Sequence, residues 1–413
     1  MTLAAWAIFG LFLAMLSGLL LFHHHKLPVV VGGFAVIGCV YAAVNGLGGL
    51  GHHFIEWHRF HLLYNLALML PGFSLVAYYF EDSGASQSIA RVLKSDGLIL
   101  WVIFALSTVL DNIAACMIGG TILMAVYGKQ HVPFSMLIGI ICASNLGGTG
   151  SPVGDTTTVM MFVSQDPKIS IREIMSAFAA TIPAQFLIVL WAQRHSQRPL
   201  RVPVKGAVPV GHESYDDRRL GEDDVIALAE GTRQRSVNMG MMLPLLAIPG
   251  LIVGNFLDQP GFGLWIGLFL GIVLGRNRFE TKSFVSAIPN MLFLVLLVAT
   301  AEMLPLEEAK PSLNLLNRDT LTILLGHLSA WFDNIPLTAV ALSLKDFDWG
   351  LLAYCVGYGG SAMWFGSSAG VALGLLFNEV YDTKRWLVPF LVVTVTYWAG
   401  AASYILLYKV VLQ

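Results

Sequence analysis

Long apolar runs separated by short polar stretches make up most of this chain. About 18–20 consecutive apolar residues suffice for a helix to cross a bilayer, and many runs reach or pass that length. The pattern predicts membrane segments over residues 4–22, 28–49, 61–80, 97–127, 133–163, 173–193, 239–257, 261–276, 284–304, 316–345, 349–377 and 386–411. We therefore expect an all-α polytopic membrane protein with about 10–13 membrane segments.

Three of these runs are too long for one plain crossing, and they carry Gly, Pro, Asn or Asp near their middle. Irregular backbone at membrane depth is tolerated where protein or a polar cavity covers it. We therefore expect re-entrant hairpins at 97–127 and 316–345. Helices broken in the middle are expected at 142–158 and 357–374.

A seven-residue pattern occurs twice, as Ser107–Ile113 (Ser-Thr-Val-Leu-Asp-Asn-Ile) and Ser329–Ile335 (Ser-Ala-Trp-Phe-Asp-Asn-Ile). The first Ser and the Asp-Asn-Ile ending stand at the same places in both copies. A polar stretch at 194–238 separates the two occurrences. We predict an N-terminal transmembrane repeat at 1–193, an extramembrane linker at 194–238 and a C-terminal transmembrane repeat at 239–413. If the repeats are inverted, both Asp-Asn pairs meet near the membrane midplane.

Composition narrows the function classes. Only 12% of the 413 residues are charged, against about 25% in a soluble domain. The net charge of −2 implies no nucleic-acid partner, and the four cysteines show no CxxC spacing for a zinc site. No Walker A or HExxH pattern is present, which argues against an ATP-driven pump and against an enzyme. No cofactor is expected.

The carboxylates inside apolar runs carry the chemistry. An intramembrane acid is costly and marks a functional site by default, which singles out Asp111, Asp333 and Asp155. Asp155 lies in a run of Gly, Ser, Thr and Pro, Ser144–Thr158, that a helix cannot traverse unbroken. Carbonyl, hydroxyl and carboxylate oxygens suit Na⁺, Li⁺ or H⁺. A cation and a proton that compete for the same oxygens suffice for antiport at one site.

The second break, around Gly366–Gly370, has no carboxylate that matches Asp155. Ser144 follows Asp111 at nearly the same distance along the chain as Ser367 follows Asp333, so each break comes at a similar distance from its Asp-Asn pair. The predicted ion site is therefore asymmetric. Small residues in such stretches also serve close helix packing, and this alternative stays open.

Histidines and two glutamates form a second set of candidates. One cluster consists of His52, His53, His58 and His61. It has three interpretations, a metal site, a pH sensor and a solvated interfacial face, and the solvated face is favoured. Three further residues are candidate proton relays: His327, Glu81 and Glu302. The alternative for His327 is a buried core histidine, and the alternative for the two glutamates is an interfacial helix end.

These motifs resemble the NhaD-type Na⁺/H⁺ antiporters of the ion transporter superfamily, which also contains arsenite permease-like and dicarboxylate/citrate carriers. The resemblance lies in Ser107–Ile113, Gly147–Thr158, Ser329–Pro336 and Ala353–Gly370. It implies an ion site built from Asp111, Asn112, Asn145, Ser151, Asp155, Thr156, Asp333, Asn334, Ser367 and Ser368. It also implies a homodimer in the lipid of a bacterial inner membrane.

The expected function is a secondary active Na⁺(Li⁺)/H⁺ antiporter that works by alternating access on small inorganic ions. A divalent-metal or an oxyanion/dicarboxylate carrier of the same superfamily is the alternative within transport. A membrane scaffold or receptor with a vestigial site is the alternative from another class.

Overall fold

The computed structural model describes residues 2–22, 25–55, 57–83, 93, 95–164, 166–196, 243–257, 259–305, 308, 317–332 and 334–411. These ranges contain helices and turns and no β-strand. Asp333 and nearly all of the predicted linker at 194–238 lie outside them, although the helix before the linker runs to His195.

The α-helices in chain order are α1 (Leu3–Leu21), α2 (Lys26–Ile55), α3 (Trp57–Asp82), α4 (Asp96–Ser107), α5 (Asn112–Tyr127), α6 (Phe134–Thr149), α7 (Thr156–Val163), α8 (Ile171–Met175), α9 (Phe178–His195), α10 (Ala247–Phe256), α11 (Pro260–Leu274), α12 (Thr281–Glu302), α13 (Arg318–Ser329), α14 (Asn334–Leu344), α15 (Trp349–Gly359), α16 (Ser368–Leu376) and α17 (Leu387–Tyr404). Short 3-10 turns cover Lys129–His131, Leu243–Leu246, Gly360–Ala362, Asn378–Tyr381 and Thr383–Trp386, and a π-helix covers Ile405–Val411. A positive φ of 77° at Gly46 kinks α2.

The predicted polytopic class is confirmed by an inside-out distribution of side chains. Large apolar side chains face outward, as at Phe262, Ile266 and Phe269 on α11. Polar side chains such as Asn145 and Asp155 are completely buried. Within the described ranges, length and composition suit four helices to crossing a bilayer: Lys26–Gly49, Ile171–His195, Thr281–Glu302 and Thr383–Tyr408. A lipid environment explains the apolar exterior.

The helices pack into two groups, and each group draws on both halves of the sequence. In the first group, α3 packs against α11 and α12, and α2 packs against α1 and α12. In the second group, α6 packs against α4, α9 and α15, while α15 packs against α13 and α17. The groups meet where α7 packs on α3 and α14 packs on α12.

The overlong runs are interrupted where the sequence predicts. Run 97–127 divides into α4 and α5, and run 133–163 divides into α6 and α7. Run 316–345 divides into α13 and α14, and run 349–377 into α15 and α16 with a 3-10 turn between them. N-cap residues start the second helix of three pairs, because a side-chain oxygen there accepts a backbone N–H of the first turn. These caps are Asp111, Asp155 and Ser367.

Candidate functional site

The two halves of the sequence make corresponding contacts around the breaks. Ser107 Oγ donates a hydrogen bond to the carbonyl of Ser144 at 2.5 Å, and Ser329 Oγ donates to the carbonyl of Val356 at 2.6 Å. Ser107 is the last residue of α4 and bonds to α6, and Ser329 is the last residue of α13 and bonds to α15. We call α6 and α15 the central helices. The repeat at 1–193 and 239–413 stays a prediction, which these matched contacts support.

The glycines that follow the central helices repeat the same pattern. A Cβ on Gly154 would lie within 3.0 Å of the carbonyl oxygen of Ser107, and one on Gly366 within 3.0 Å of that of Ser329. Only glycine allows the backbone to approach so closely. Each break therefore passes close to the end of α4 or α13.

Position 155 corresponds to position 367 in this packing, and position 144 corresponds to 356. The N-cap backbones agree, with φ −142° and ψ 143° at Asp155 and φ −140° and ψ 149° at Ser367. The similar spacing from Asp111 to Ser144 and from Asp333 to Ser367 therefore does not mark corresponding residues, because α14 and α15 have 11 residues each where α5 and α6 have 16. The second break does lack the carboxylate, as predicted, since Ser367 stands at its place.

Asp155 is fully buried, and neutral groups from both halves hold it. The backbone N–H of Thr157 donates to Oδ1 at 3.1 Å. The carboxamide of Asn334 lies 3.4 Å from Oδ1 and 3.3 Å from Oδ2. A Cβ on Gly357 would lie 3.4 Å from Oδ2 and would collide with the methyl group of Thr149. We call the surroundings of this carboxylate, with Asn334, Gly357 and Thr149, the Asp155 subsite.

Asn145 is the centre of a second buried polar cluster. Its Nδ2 donates to Ser361 Oγ at 2.8 Å and to Ser367 Oγ at 3.0 Å. Its Oδ1 accepts from Asn112 Nδ2 at 3.0 Å. All four side chains are buried. We call this cluster the Ser367 subsite.

The subsites are neighbours because α6 takes part in both. Asn145 and Thr149 are four residues apart on this helix, which corresponds to about 6 Å along the axis. The structure thus brings six predicted site residues together in the two subsites: Asn112, Asn145, Asp155, Thr156, Asn334 and Ser367.

The remaining predicted site residues lie at the edges of this arrangement. Asp111 is half-buried, and its Oδ2 accepts the N–H of Ile113 at 3.1 Å. Ser151 Oγ donates to the carbonyl of Thr108 at 2.6 Å and so ties the two breaks of the first half together. Ser368 is partly buried at the first turn of α16, whereas Thr156, at the first turn of α7, donates from Oγ1 to Asp155 Oδ1 at 3.4 Å. Asp333 lies outside the described residues.

Among the buried oxygens that have no hydrogen-bond partner in the described residues, two belong to the site, Asn112 Oδ1 and Thr157 Oγ1. Buried polar groups are nearly always satisfied, so such atoms call for an explanation by water or an ion. Thr157 follows Asp155 by two residues, and its backbone N–H donates to the Asp155 carboxylate. Both oxygens are acceptors of the kind that hard cations take as ligands.

Comparison with known sequences gives the family. The sequence model of the citrate transporter family, CitMHS, matches residues 1–345, most of the 413-residue chain. The chain belongs to the citrate transporter family. Membership of this transporter family agrees with the resemblance stated from the motifs and with the expectation that the chain is not an enzyme.

Curated relatives of this family member carry antiporter names. It is 26% identical over 318 residues to "Sodium/proton antiporter 1" of Arabidopsis thaliana, covering 66% of the chain and 50% of the relative. It is 25% identical over 309 residues to "Na(+)/H(+) antiporter NhaD" of Vibrio cholerae, covering 66% of the chain and 62% of the relative. The Halomonas elongata protein of that name is 26% identical over 320 residues, covering 68% and 62%. The chain spans about half the length of the first of these relatives.

His61 corrects the expectation of a solvated histidine face. It is only 1% exposed, and Asn65 Nδ2 donates to its carbonyl at 2.9 Å. The described residues contain no group of three or more potential metal ligands. The side chains of His52, His53 and His58 lie outside the described part of the chain.

The candidate proton relays make other contacts. His327 Nδ1 lies 2.9 Å from the carbonyl of Ile323, and its ring packs edge-on against Tyr397 with centroids 4.9 Å apart. The ring of His327 is only partly buried, so the proton relay and the core histidine both stay open. Glu302 is the last residue of α12 and is partly buried. The side chain of Glu81 lies outside the described residues.

Sequence reasoning missed several residues that shape the site. Ser107 and Ser329 open the two repeated motifs, so their shared position was a signal that they brace equivalent helices. Ser361 follows the glycine pair of the second break, but nothing in the sequence ties it to Asn145. Thr149 and Thr157 belong to the polar run around Asp155, and only packing shows which of its hydroxyls and methyls face the carboxylate.

Proposed function

We propose that this chain is a secondary active transporter that exchanges Na⁺ or Li⁺ for H⁺ by alternating access. The observation that carries the proposal is the buried carboxylate of Asp155, placed at a helix break and held by Asn334 from the other half of the chain. A buried carboxylate is costly unless its charge is compensated. A proton and a small cation are alternative ways to compensate it.

The surrounding donor set supports a hard monovalent cation. The Asp155 subsite offers carboxylate oxygens, and Thr157 next to it has a hydroxyl oxygen without a hydrogen-bond partner in the described ranges. Oxygen ligands of this kind favour alkali and alkaline-earth ions over soft metals. Asp111, and Asp333 by its repeated motif, would add carboxylates at the neighbouring helix starts.

The packing of the helices supports alternating access. Asp155 is the N-cap of α7, and Asn334 is the first residue of α14. These two helices pack on α3 and α12 of the other group. The site thus adjoins the boundary between the two groups. Movement of the group that carries the site against the group of α1–α3 and α10–α12 would expose the site to each side in turn.

The names of the relatives support the same ion pair. The plant, Vibrio and Halomonas relatives are named sodium/proton antiporters. We extend this activity to the present chain as part of the proposal, together with the homodimeric state and the bacterial inner membrane expected from the resemblance.

Reconstitution of the full chain into proteoliposomes tests the function. With an imposed pH gradient, addition of Na⁺ or Li⁺ should dissipate the gradient, and K⁺ should not. Empty liposomes and the Asp155→Asn variant are the controls. If Na⁺ and Li⁺ leave the gradient unchanged while the protein is folded and inserted, the proposal is wrong.

A citrate-type anion carrier is the second candidate, because the matching family is described as citrate transporters. Uptake of labelled citrate into the same proteoliposomes distinguishes the two. Citrate uptake without cation-driven proton movement would favour this candidate, and a response only to divalent metals would favour a metal carrier. Absence of transport of every substrate tested would favour a scaffold or receptor.

A further inference from the structure

The two subsites differ at one pair of corresponding positions. The serine hydrogen bonds relate position 144 to 356, and the N-caps relate position 155 to 367. The shift in numbering is the same in both cases, and it relates Asn145 to Gly357 and Thr149 to Ser361. Position 145 therefore carries a carboxamide next to the Ser367 cap, and its counterpart next to the Asp155 cap carries no side chain.

The carboxamide of Asn145 occupies the middle of the Ser367 subsite. Its Nδ2 lies 2.8 Å from Ser361 Oγ and 3.0 Å from Ser367 Oγ, so its two N–H groups point at the two hydroxyl oxygens. An amide NH₂ group carries two donors, and donors satisfy the oxygens that a cation would otherwise use. Asn112 holds the other end of the carboxamide at 3.0 Å, which fixes its orientation.

The Asp155 subsite has no side-chain donor at the corresponding place, because that place is Gly357. This glycine brings bare backbone to within contact distance of the carboxylate, with a Cβ position 3.4 Å from Oδ2. The amide that does reach the carboxylate comes from Asn334, and its distances of 3.3 Å and 3.4 Å are longer than those of Asn145. The cap residue here is also the charged one.

We infer that the side chain of Asn145 acts as a built-in occupant of the Ser367 subsite, so that the chain binds one Na⁺, at Asp155, and residue 145 determines the number of cation sites. This inference rests on the proposed cation transport and adds its stoichiometry of binding. Asn145 would then be a positioning and specificity-determining residue, and not a cation ligand as the resemblance implies.

Equilibrium binding of radioactive sodium to the purified full chain in detergent tests the inference. The wild type should bind one Na⁺ per chain, and Asp155→Asn should bind none. Ser367→Asp alone should still bind one, because the Asn145 amide remains to satisfy the new carboxylate. The double variant Asn145→Gly, Ser367→Asp copies the arrangement at Asp155 and Gly357, and it should bind two.

The possible outcomes distinguish a failure of this inference from a failure of the proposed cation transport. Two Na⁺ per wild-type chain would overturn the inference and leave cation transport standing. A second Na⁺ in Ser367→Asp alone, or a double variant that keeps its first Na⁺ without gaining another, would also overturn it. Absence of Na⁺ binding to folded wild type would overturn both. If the double variant does not fold, the wild-type count still decides.

Discussion

Asn334 Nδ2 lies 3.3 Å from Asp155 Oδ2, so a side chain from the second half of the sequence contacts the buried carboxylate of the first half. Asn334 starts α14, and Asp155 caps α7. The candidate site therefore exists only when both halves are packed together. A change on either side of this contact should affect cation handling while the distant helices keep their fold.

Replacement of Asp155 by Asn should abolish cation-driven proton movement. Asn caps helices about as well as Asp, so the variant loses the charge and keeps the cap of α7. Proteoliposome assays should show no dissipation of the pH gradient by Na⁺, at normal protein yield. Asp166→Asn is the control, since that carboxylate is exposed and pairs with Lys345, and its transport should be unchanged. Wild-type rates in Asp155→Asn would contradict the assignment.

Replacement of Asn334 by Ala should weaken apparent Na⁺ affinity. The change removes the amide that positions Asp155, and one hydrogen bond contributes about 1 kcal/mol, or roughly fivefold in affinity. The KM for Na⁺ in proteoliposomes is the measurement. Asn45→Ala is the control, because the amide of Asn45 is exposed and donates to the carbonyl of Tyr41 within α2. Equal effects of the two substitutions would show that Asn334 has no special relation to the cation.

Replacement of Gly154 by Ala should destabilise the protein. The added Cβ would come within 3.0 Å of the carbonyl oxygen of Ser107, and overpacking of this kind costs about 1–3 kcal/mol. The thermal unfolding midpoint in detergent should fall. Gly32→Ala on α2 is the control, since nothing lies within 4 Å of its Cβ position. An unchanged midpoint for Gly154→Ala would mean that the break can shift freely.

Replacement of Ser107 or Ser329 by Ala should lower stability by similar amounts. Each substitution removes one buried hydrogen bond to a main-chain carbonyl, worth about 1 kcal/mol. Chemical unfolding in detergent measures both. The control is Ser17→Ala, whose exposed hydroxyl bonds only within its own helix. A large effect at Ser107 with none at Ser329 would argue against equivalent roles.

Much of the architecture was predictable because bilayer thickness imposes a length on apolar runs. The breaks at Asp111, Asp155 and Gly366 were also predictable, since glycine, proline and capping residues interrupt helices for local reasons. The sequence could not show the alignment of the halves in space. Counting residues from Asp111 and Asp333 fails because α14 and α15 are shorter than α5 and α6.

Contacts between distant segments explain the rest of the site that sequence reasoning missed. Ser361 contacts Asn145 from the other half of the chain, and no spacing rule connects them. His61 was expected at a solvated face, yet packing of α3 against α11 and α12 surrounds that part of the bundle. Periodicity assigns faces within one helix, but the neighbours of those faces depend on the tertiary arrangement.

The N-cap residues also determine the net charge around the Asp155 and Ser367 subsites. The starts of α7 and α14 meet at Asp155 and Asn334, and the starts of α5 and α16 meet through Asn145. Each helix start behaves as about half a positive elementary charge, so four starts attract anions when their caps are neutral. Under the proposed cation transport, ionised Asp111 and Asp155 would offset this positive charge and would favour a cation. On this argument, the cap residues at these four helix starts would decide whether the site attracts an anion or a cation.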